Sequence, residues 1–248
     1  MKVLTLDIET APMEAYVWHM YGDFVSLDKL NAPTRMLSWA AKWENVDEVV
    51  YASERTHTRR DMVLDIWDLV DEADAIVHFN GTSFDMKHLN REFVEQELDP
   101  PSNYKNIDLL TAVKRRFKFP SNKLDYVAGV LLGEHKIDTG GFDLWRRVLD
   151  GEKAAWMEME AYNCRDVELT ERLYHRIQGW IVGHPNRALW VEDQENPHCP
   201  NCGSSSIVKR GIERPARVNA YQRYKCNSCG ANSRGREVVR KAGKGVLM

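Results

Sequence analysis

Val3 to Pro12, VLTLDIETAP, is the stretch that most narrows what this chain can fold into. Its apolar first half reads as a buried strand over residues 2–7. That strand runs into Asp7 and Glu9, and in extended backbone residues i and i+2 project to the same face. Two carboxylates held side by side repel, and each resists ionising next to the other. Something positive must sit between them, and the rest of the sequence has to provide it.

The segments that follow predict the frame. Arg35–Trp43 (RMLSWAAKW) and Asp47–Ser53 (DEVVYAS) read as a second and third strand across a short polar turn. Residues 60–73, RDMVLDIWDLVDEA, space Met62, Val63, Ile66, Trp67 and Val70 as one apolar helical face. Ala73–Asn80 reads as a short buried strand, Phe84–Glu97 as a helix halted by Pro100 and Pro101, and residues 104–109 as a fifth strand. Helical patterns follow near 109–118, 123–132 and 153–178. Three strands and then alternating helix and strand predict an α/β domain on a mixed sheet.

Two further acids stand at element ends or faces. Asp85 follows HFNGTSF, where a strand passes into a helix, and Tyr162 and Asp166 lie at i and i+4 of the 153–178 helix, so they share a face. Converging at one edge of the sheet, these would join Asp7 and Glu9 to surround one point with four carboxylates and a phenol. Such a cluster needs cations, and oxygen-only ligands suit hard divalent ions such as magnesium or manganese. Two of these ions activate a water and stabilise the leaving oxygen of a phosphodiester, while a tyrosine can orient that water or take its proton.

DIET, NGTSFD and YNCRD occur in the order of the three motifs of the DEDD superfamily of 3′–5′ exonucleases, which the chain resembles over about residues 1–178. The Tyr-x-x-x-Asp form of the third is similar to the tyrosine branch. KLDYVAGVLLGEHK (Lys123–Lys136) looks like a segment of the proofreading exonuclease domain of family-B DNA polymerases. The resemblance implies a ribonuclease H-like mixed sheet flanked by helices. It implies Asp7, Glu9, Asp85 and Asp166 as ligands of two magnesium or manganese ions, and Tyr162 as the residue positioning the attacking water. Thr10, Asn80 and Phe84 would lie near the terminal nucleotide. The chain departs from the polymerases in having no room for palm, fingers or thumb. His78 and His88 read as packing or surface residues, and most tryptophans as core, with Trp18 and Trp39 as candidates for base stacking.

The end of the chain has a different composition. Residues 179–197, rich in Gly, Pro, Asn and acids, read as a linker, and residues 198–248 as a small separate domain. There Cys199, Cys202, Cys226 and Cys229 form two C-x-x-C-G units with 23 residues between them, the spacing of one structural zinc in a zinc ribbon. Two disulfides would need an oxidising compartment, for which no export leader is evident. Cys164 reads as a small buried side chain. Residues 198–248 hold 11 Lys/Arg against two acids, about +9, so the remainder carries about −12. Lys209, Arg210, Arg214, Arg217, Arg223, Lys225, Arg234 and Arg236 are interleaved with Tyr221 and Tyr224, a pattern suited to a polyanion.

These features predict a cytoplasmic metal-dependent nuclease that removes nucleotides from single-stranded DNA 3′ ends. The ribbon would grip nucleic acid or dock a replication or repair protein. An RNA substrate and a non-catalytic adaptor are the competing readings. No apolar run is long enough for a membrane span.

Overall fold

The computed structural model describes residues 1–19, 21–22, 24–213 and 219–241. The chain forms two compact units, one of residues 2–111 and 119–171, the other of Met1, residues 112–118 and residues 172–248.

The larger unit is built on a five-stranded sheet. Its strands are β1 (Val3–Thr10), β4 (Met36–Trp43), β5 (Val50–Ser53), β6 (Ala75–His78) and β7 (Lys105–Asp108), in the order β5-β4-β1-β6-β7. β1 pairs antiparallel with β4 and parallel with β6; β4–β5 is antiparallel and β6–β7 parallel. The sheet is therefore mixed, with β1 at its centre. A short ribbon of β2 (Glu14–Ala15) and β3 (Leu30–Ala32) interrupts the path from β1 to β4.

Alternation along β1 and β4 divides the core. Leu4, Leu6, Ile8, Trp39 and Ala41 pack with Met62, Val63, Ile66 and Val70 of α1 (Arg59–Glu72) and Leu89 and Phe93 of α2 (Asp85–Glu95). Ala11 and Leu37 pack instead with α5 (Asp143–Leu149) and α6 (Lys153–Ile177) through Leu144, Val148, Trp156, Met159 and Tyr162. Thr58 starts α1 by accepting the Asp61 N–H while its own hydroxyl donates to the Asp61 carboxylate. α3 (Leu109–Arg116) and α4 (Leu124–Leu132) complete the helices, and α4 stops at Gly133 in the left-handed region.

The sequence-based frame differs in particulars that have causes. β1 runs through both acids to Thr10, because its pairing with β4 continues past Glu9 across a bulge. The β2–β3 ribbon and the two-turn α5 are too short to show a period.

In the smaller unit, β8 (Ile207–Glu213), β9 (Asn219–Cys226) and β10 (Asn232–Lys241) form an antiparallel sheet in the order β10-β9-β8. β10 is polar and exposed, so no alternating apolar pattern announced it. Residues 179–197 contain the end of one 3-10 turn, Gln178–Trp180, and the whole of another, Arg187–Trp190. Gln178 and Asn201 exchange side-chain-to-carbonyl hydrogen bonds of 3.0 and 2.8 Å. At Gly179 a Cβ would stand 2.1 Å from the Cys229 carbonyl oxygen, so only glycine fits there. Arg214 and Arg217 lie outside the described residues.

Trp39 is 1% exposed and donates its indole N–H to the Met62 carbonyl at 2.8 Å, so it is a core residue and not a stacking surface. Trp39→Ala should destabilise the fold by about 3–5 kcal/mol, read as a lowered denaturant midpoint with an unchanged slope.

Candidate active site and metal centres

β1 fixes Asp7 and Glu9 opposite Ala40 and Ser38 of β4, and α6 brings Asp166 to meet them. The ligand oxygens of Asp7, Glu9 and Asp166 all lie within 4.8 Å of one another. Asp85 falls outside this tight group but borders it. β1–β6 pairing ends at Thr5↔Val77, and the Ile8 N–H beyond that point donates to Asp85 Oδ1 at 3.1 Å. Where the sheet stops supplying acceptors, a carboxylate takes over.

Burial, then the charges of Asp85, Glu9 and Asp166, push the Asp7 carboxyl well above the usual carboxylate range. Burial, followed by Asp166, raises Glu9 to about 8. Burial raises Asp85 to about 7 against the opposing Ile8 N–H. Burial also raises Asp166, with Lys136 working against it.

Lys136 supplies the positive charge that β1 demands. Its ammonium lies 2.5 Å from Asp166 Oδ2 and 4.7 Å from the centroid of the Tyr162 ring. Burial disfavours that ammonium, but Asp166 and Tyr162 outweigh the penalty and hold it protonated. Burial, then Asp166, raises the Tyr162 phenol above its ordinary range, so it remains a neutral hydroxyl. Among the described residues Lys136 is the cation in contact with this cluster, with Arg165 acting on Asp166 from farther off, so four acids remain short of positive charge. Asp166 Oδ1 is buried with no hydrogen-bond partner among the described residues, an acceptor that a bound cation would satisfy. This all-oxygen donor set fits hard divalent ions.

Asn163, beside Tyr162 on α6, locks Asp7 in place. Its Nδ2 donates to Asp7 Oδ2 at 2.8 Å, and its Oδ1 accepts the Ser38 hydroxyl at 3.0 Å. Ser38 is itself the register partner of Glu9, so sheet and helix are tied at one spot.

Asn80 and Phe84 stand on the turn from β6 into α2. Asn80 has φ 72, and its N–H donates to Asp108 Oδ1 at 3.1 Å. Asp108 also accepts the Thr111 N–H at the start of α3. At Gly81 a Cβ would lie 2.4 Å from the His78 ring, whose Nδ1 accepts the Gly81 N–H. His78 is buried and its pKa is lowered by that burial, in keeping with the packing role read from sequence. Phe84 is 39% exposed and meets His88 edge-on, and Thr10 is half-buried just past the bulge in β1. Trp18 is 87% exposed.

Sequence reasoning missed Lys136, Asn163 and Asp108. Lys136 closes the Lys123–Lys136 segment, and Asp108 ends a parallel strand as Asp7 nearly does, so both carried a visible signal. Asn163 carried only its adjacency to Tyr162.

The second centre lies in the ribbon. The sulfurs of Cys199, Cys202, Cys226 and Cys229 all lie within 4.8 Å of one another. Burial raises the Cys199 thiol to about 11 and pushes Cys229 up as well, whereas at Cys226 the N–H groups of Cys229 and Ser228 outweigh burial and bring it to about 7, which favours the thiolate at that one sulfur. Four convergent cysteines fit a tetrahedral metal site.

A central mixed sheet with helices packed against it, its middle strand carrying acids that meet a helix, is the ribonuclease H-like arrangement. Residues 27–178 match the family model for the RNase H superfamily, and the chain belongs to that superfamily. The matched span begins after β1. A chain of Frog virus 3 (isolate Goorha) described as a DNA polymerase is 33% identical over 75 residues, 30% of this chain and 7% of that one. The family B DNA polymerase of the hyperthermophilic archaeon Pyrobaculum calidifontis superposes with a TM-score of 0.53 at 20% identity, covering 72% of this chain and 24% of that one. The chain thus spans a small part of each similar protein's length.

The raised carboxyls set a pH dependence. Folded Asp7, Glu9 and Asp85 hold protons more tightly than the unfolded chain does, so metal-free stability should fall as pH rises from 5 toward about 8. Magnesium or manganese should recover it, raising the melting temperature more at pH 8 than at pH 5. Scanning calorimetry at both pH values, with and without the ion, checks this; an ion effect equal at both would contradict it.

Proposed function

We propose that this chain is a metal-dependent 3′–5′ exonuclease acting on single-stranded DNA ends. The observation that carries the reading is the cluster of Asp7, Glu9 and Asp166 within 4.8 Å, bordered by Asp85 and faced by Tyr162 and Lys136. Membership of the RNase H superfamily supports nuclease chemistry, and both similar proteins carry DNA polymerase names, which supports DNA over RNA.

Asp7, Glu9, Asp85 and Asp166 would hold two magnesium or manganese ions, which supply an activated water and neutralise the departing oxygen. Tyr162, a neutral phenol, acts as a donor that orients the water; its raised pKa makes it a poor base. Lys136 fixes the Tyr162–Asp166 pair. Asn163 keeps Asp7 Oδ2 from rotating away. Thr10, Asn80 and Phe84 line the approach of the terminal nucleotide, with Phe84 offering a half-open ring for base contact.

Single-stranded DNA and RNA of one sequence, labelled at the 5′ end and incubated with magnesium or manganese, test the reading. A ladder shortening from the 3′ end on DNA is expected; internal cuts, or cleavage of RNA alone, would overturn it. Asp7→Asn, Asp85→Asn and Asp166→Asn should each remove nearly all activity while the fold remains. Tyr162→Phe should lower kcat on the order of 10²-fold with metal affinity by titration calorimetry unchanged.

The four cysteines would hold one structural zinc. Metal analysis after washing with a weak chelator should find one zinc per chain, with magnesium or manganese lost. Cys226→Ser should abolish the zinc and unfold the ribbon while the larger unit keeps its thermal transition.

A further inference from the structure

The sheet of the smaller unit carries a row of like charges that nothing in the catalytic reading uses. Along β9 the pleat puts Tyr221, Arg223 and Lys225 on one face and Gln222, Tyr224 and Cys226 on the other. Arg223 is the direct register partner of Arg234 on β10, and Lys225 pairs with Asn232 on one side and Val208 on the other. Cross-strand partners share a face, so two arginines stand directly opposite with a lysine two residues along. Like charges so placed destabilise a sheet. Residues 198–248 contain only two acids against 11 Lys/Arg; one of them, Glu213, is the β8 register partner of Tyr221 and so falls on this face, which still leaves the two arginines and the lysine in excess. The face therefore awaits an external anion.

We propose that this face, away from Cys226, is a grip for the phosphate backbone of a single-stranded nucleic acid; it rests on the nuclease reading above. Three features favour a strand over an acidic protein. Arginines form bidentate pairs with phosphate. The Arg234 guanidinium lies over the Tyr221 ring, 4.1 Å from its centroid, a cation–π pair against which an unpaired base can pack. The remainder of the chain, at about −12, gives little long-range attraction of its own to a polyanion. A tethered grip raises the local concentration of substrate without adding contacts at the catalytic face.

The test uses the full-length chain and a variant carrying Arg223→Gln, Lys225→Gln and Arg234→Gln, with zinc content confirming that the ribbon is retained. Binding of a single-stranded oligonucleotide is measured at several salt concentrations, with calcium replacing magnesium to prevent cleavage. Losing three phosphate contacts should flatten the log-affinity against log-salt plot by about 2 units for a single strand. Tyr221→Leu should weaken binding roughly tenfold at every salt concentration without changing the slope. The kcat at saturating substrate should stay at the unaltered chain's value in both variants. Identical slopes for a wild-type chain that binds and cleaves would overturn the grip, leave the nuclease reading standing, and assign the face to an acidic protein partner. A wild-type chain that neither binds nor cleaves the strand would remove both readings.

Discussion

Three carboxylates held within 4.8 Å in a largely buried site is the constraint to which the larger unit is built. Left to itself such a group would splay or take up protons, because each charge is penalised by burial and by its neighbours. The fold prevents splaying by placing Asp7 and Glu9 on the central strand, where both pair with β4. Side-chain bonds then remove the remaining freedom. Asn163 holds Asp7, Lys136 holds Asp166, and the Ile8 N–H holds Asp85. Preorganisation of this kind spends folding stability on a geometry that becomes favourable only once positive charge arrives.

Lys136 shows why a single internal cation cannot be the whole answer. Its ammonium contacts Asp166 and lies over Tyr162, so its charge is committed to the α6 side of the cluster. Glu9 still rises to about 8, which means that near neutral pH the acids compete for protons even with the lysine present. A divalent ion bound by Asp7, Glu9 and Asp166 would replace those protons, since carboxylate ligands bind metal in their deprotonated form. Lys136 would then keep phenol and carboxylate aligned, and the remaining negative charge would be left for the ion to neutralise.

Much of this was legible in the sequence because it is periodic or local. The i, i+2 acids of β1, the i, i+4 pair of α6 and the C-x-x-C-G units all rest on short-range geometry, and all reappear in the structure. What escaped is long-range. That Asn163 reaches Asp7 across 156 residues depends on how α6 packs on the sheet, and no spacing in the chain encodes it. The motif order marks Asp85 as one of four converging acids but does not tell that one of its oxygens accepts the Ile8 N–H, an acceptor made necessary where parallel pairing with β6 runs out. β10 was invisible because an exposed basic strand has no hydrophobic alternation to betray it.

Like charges crowded together at a cost to folding recur in both units with opposite sign. In the larger unit acids converge on a point, and the species that relieves them is small, hard and multivalent. On the ribbon, Arg223 and Arg234 face each other along an extended sheet, and the species that relieves them must be an anion with repeated charges and planar groups. On the readings proposed above, a divalent ion would meet the first demand and a phosphodiester strand the second, the two things a nuclease must bring together. Their electrostatics also respond differently to solution conditions. The buried cluster is weakly screened by salt and governed by pH and metal, whereas the exposed arginine row is screened over a distance of about 8–10 Å at physiological ionic strength. On the proposed reading, high salt would loosen the hold on a strand while the buried acid cluster stays fully formed.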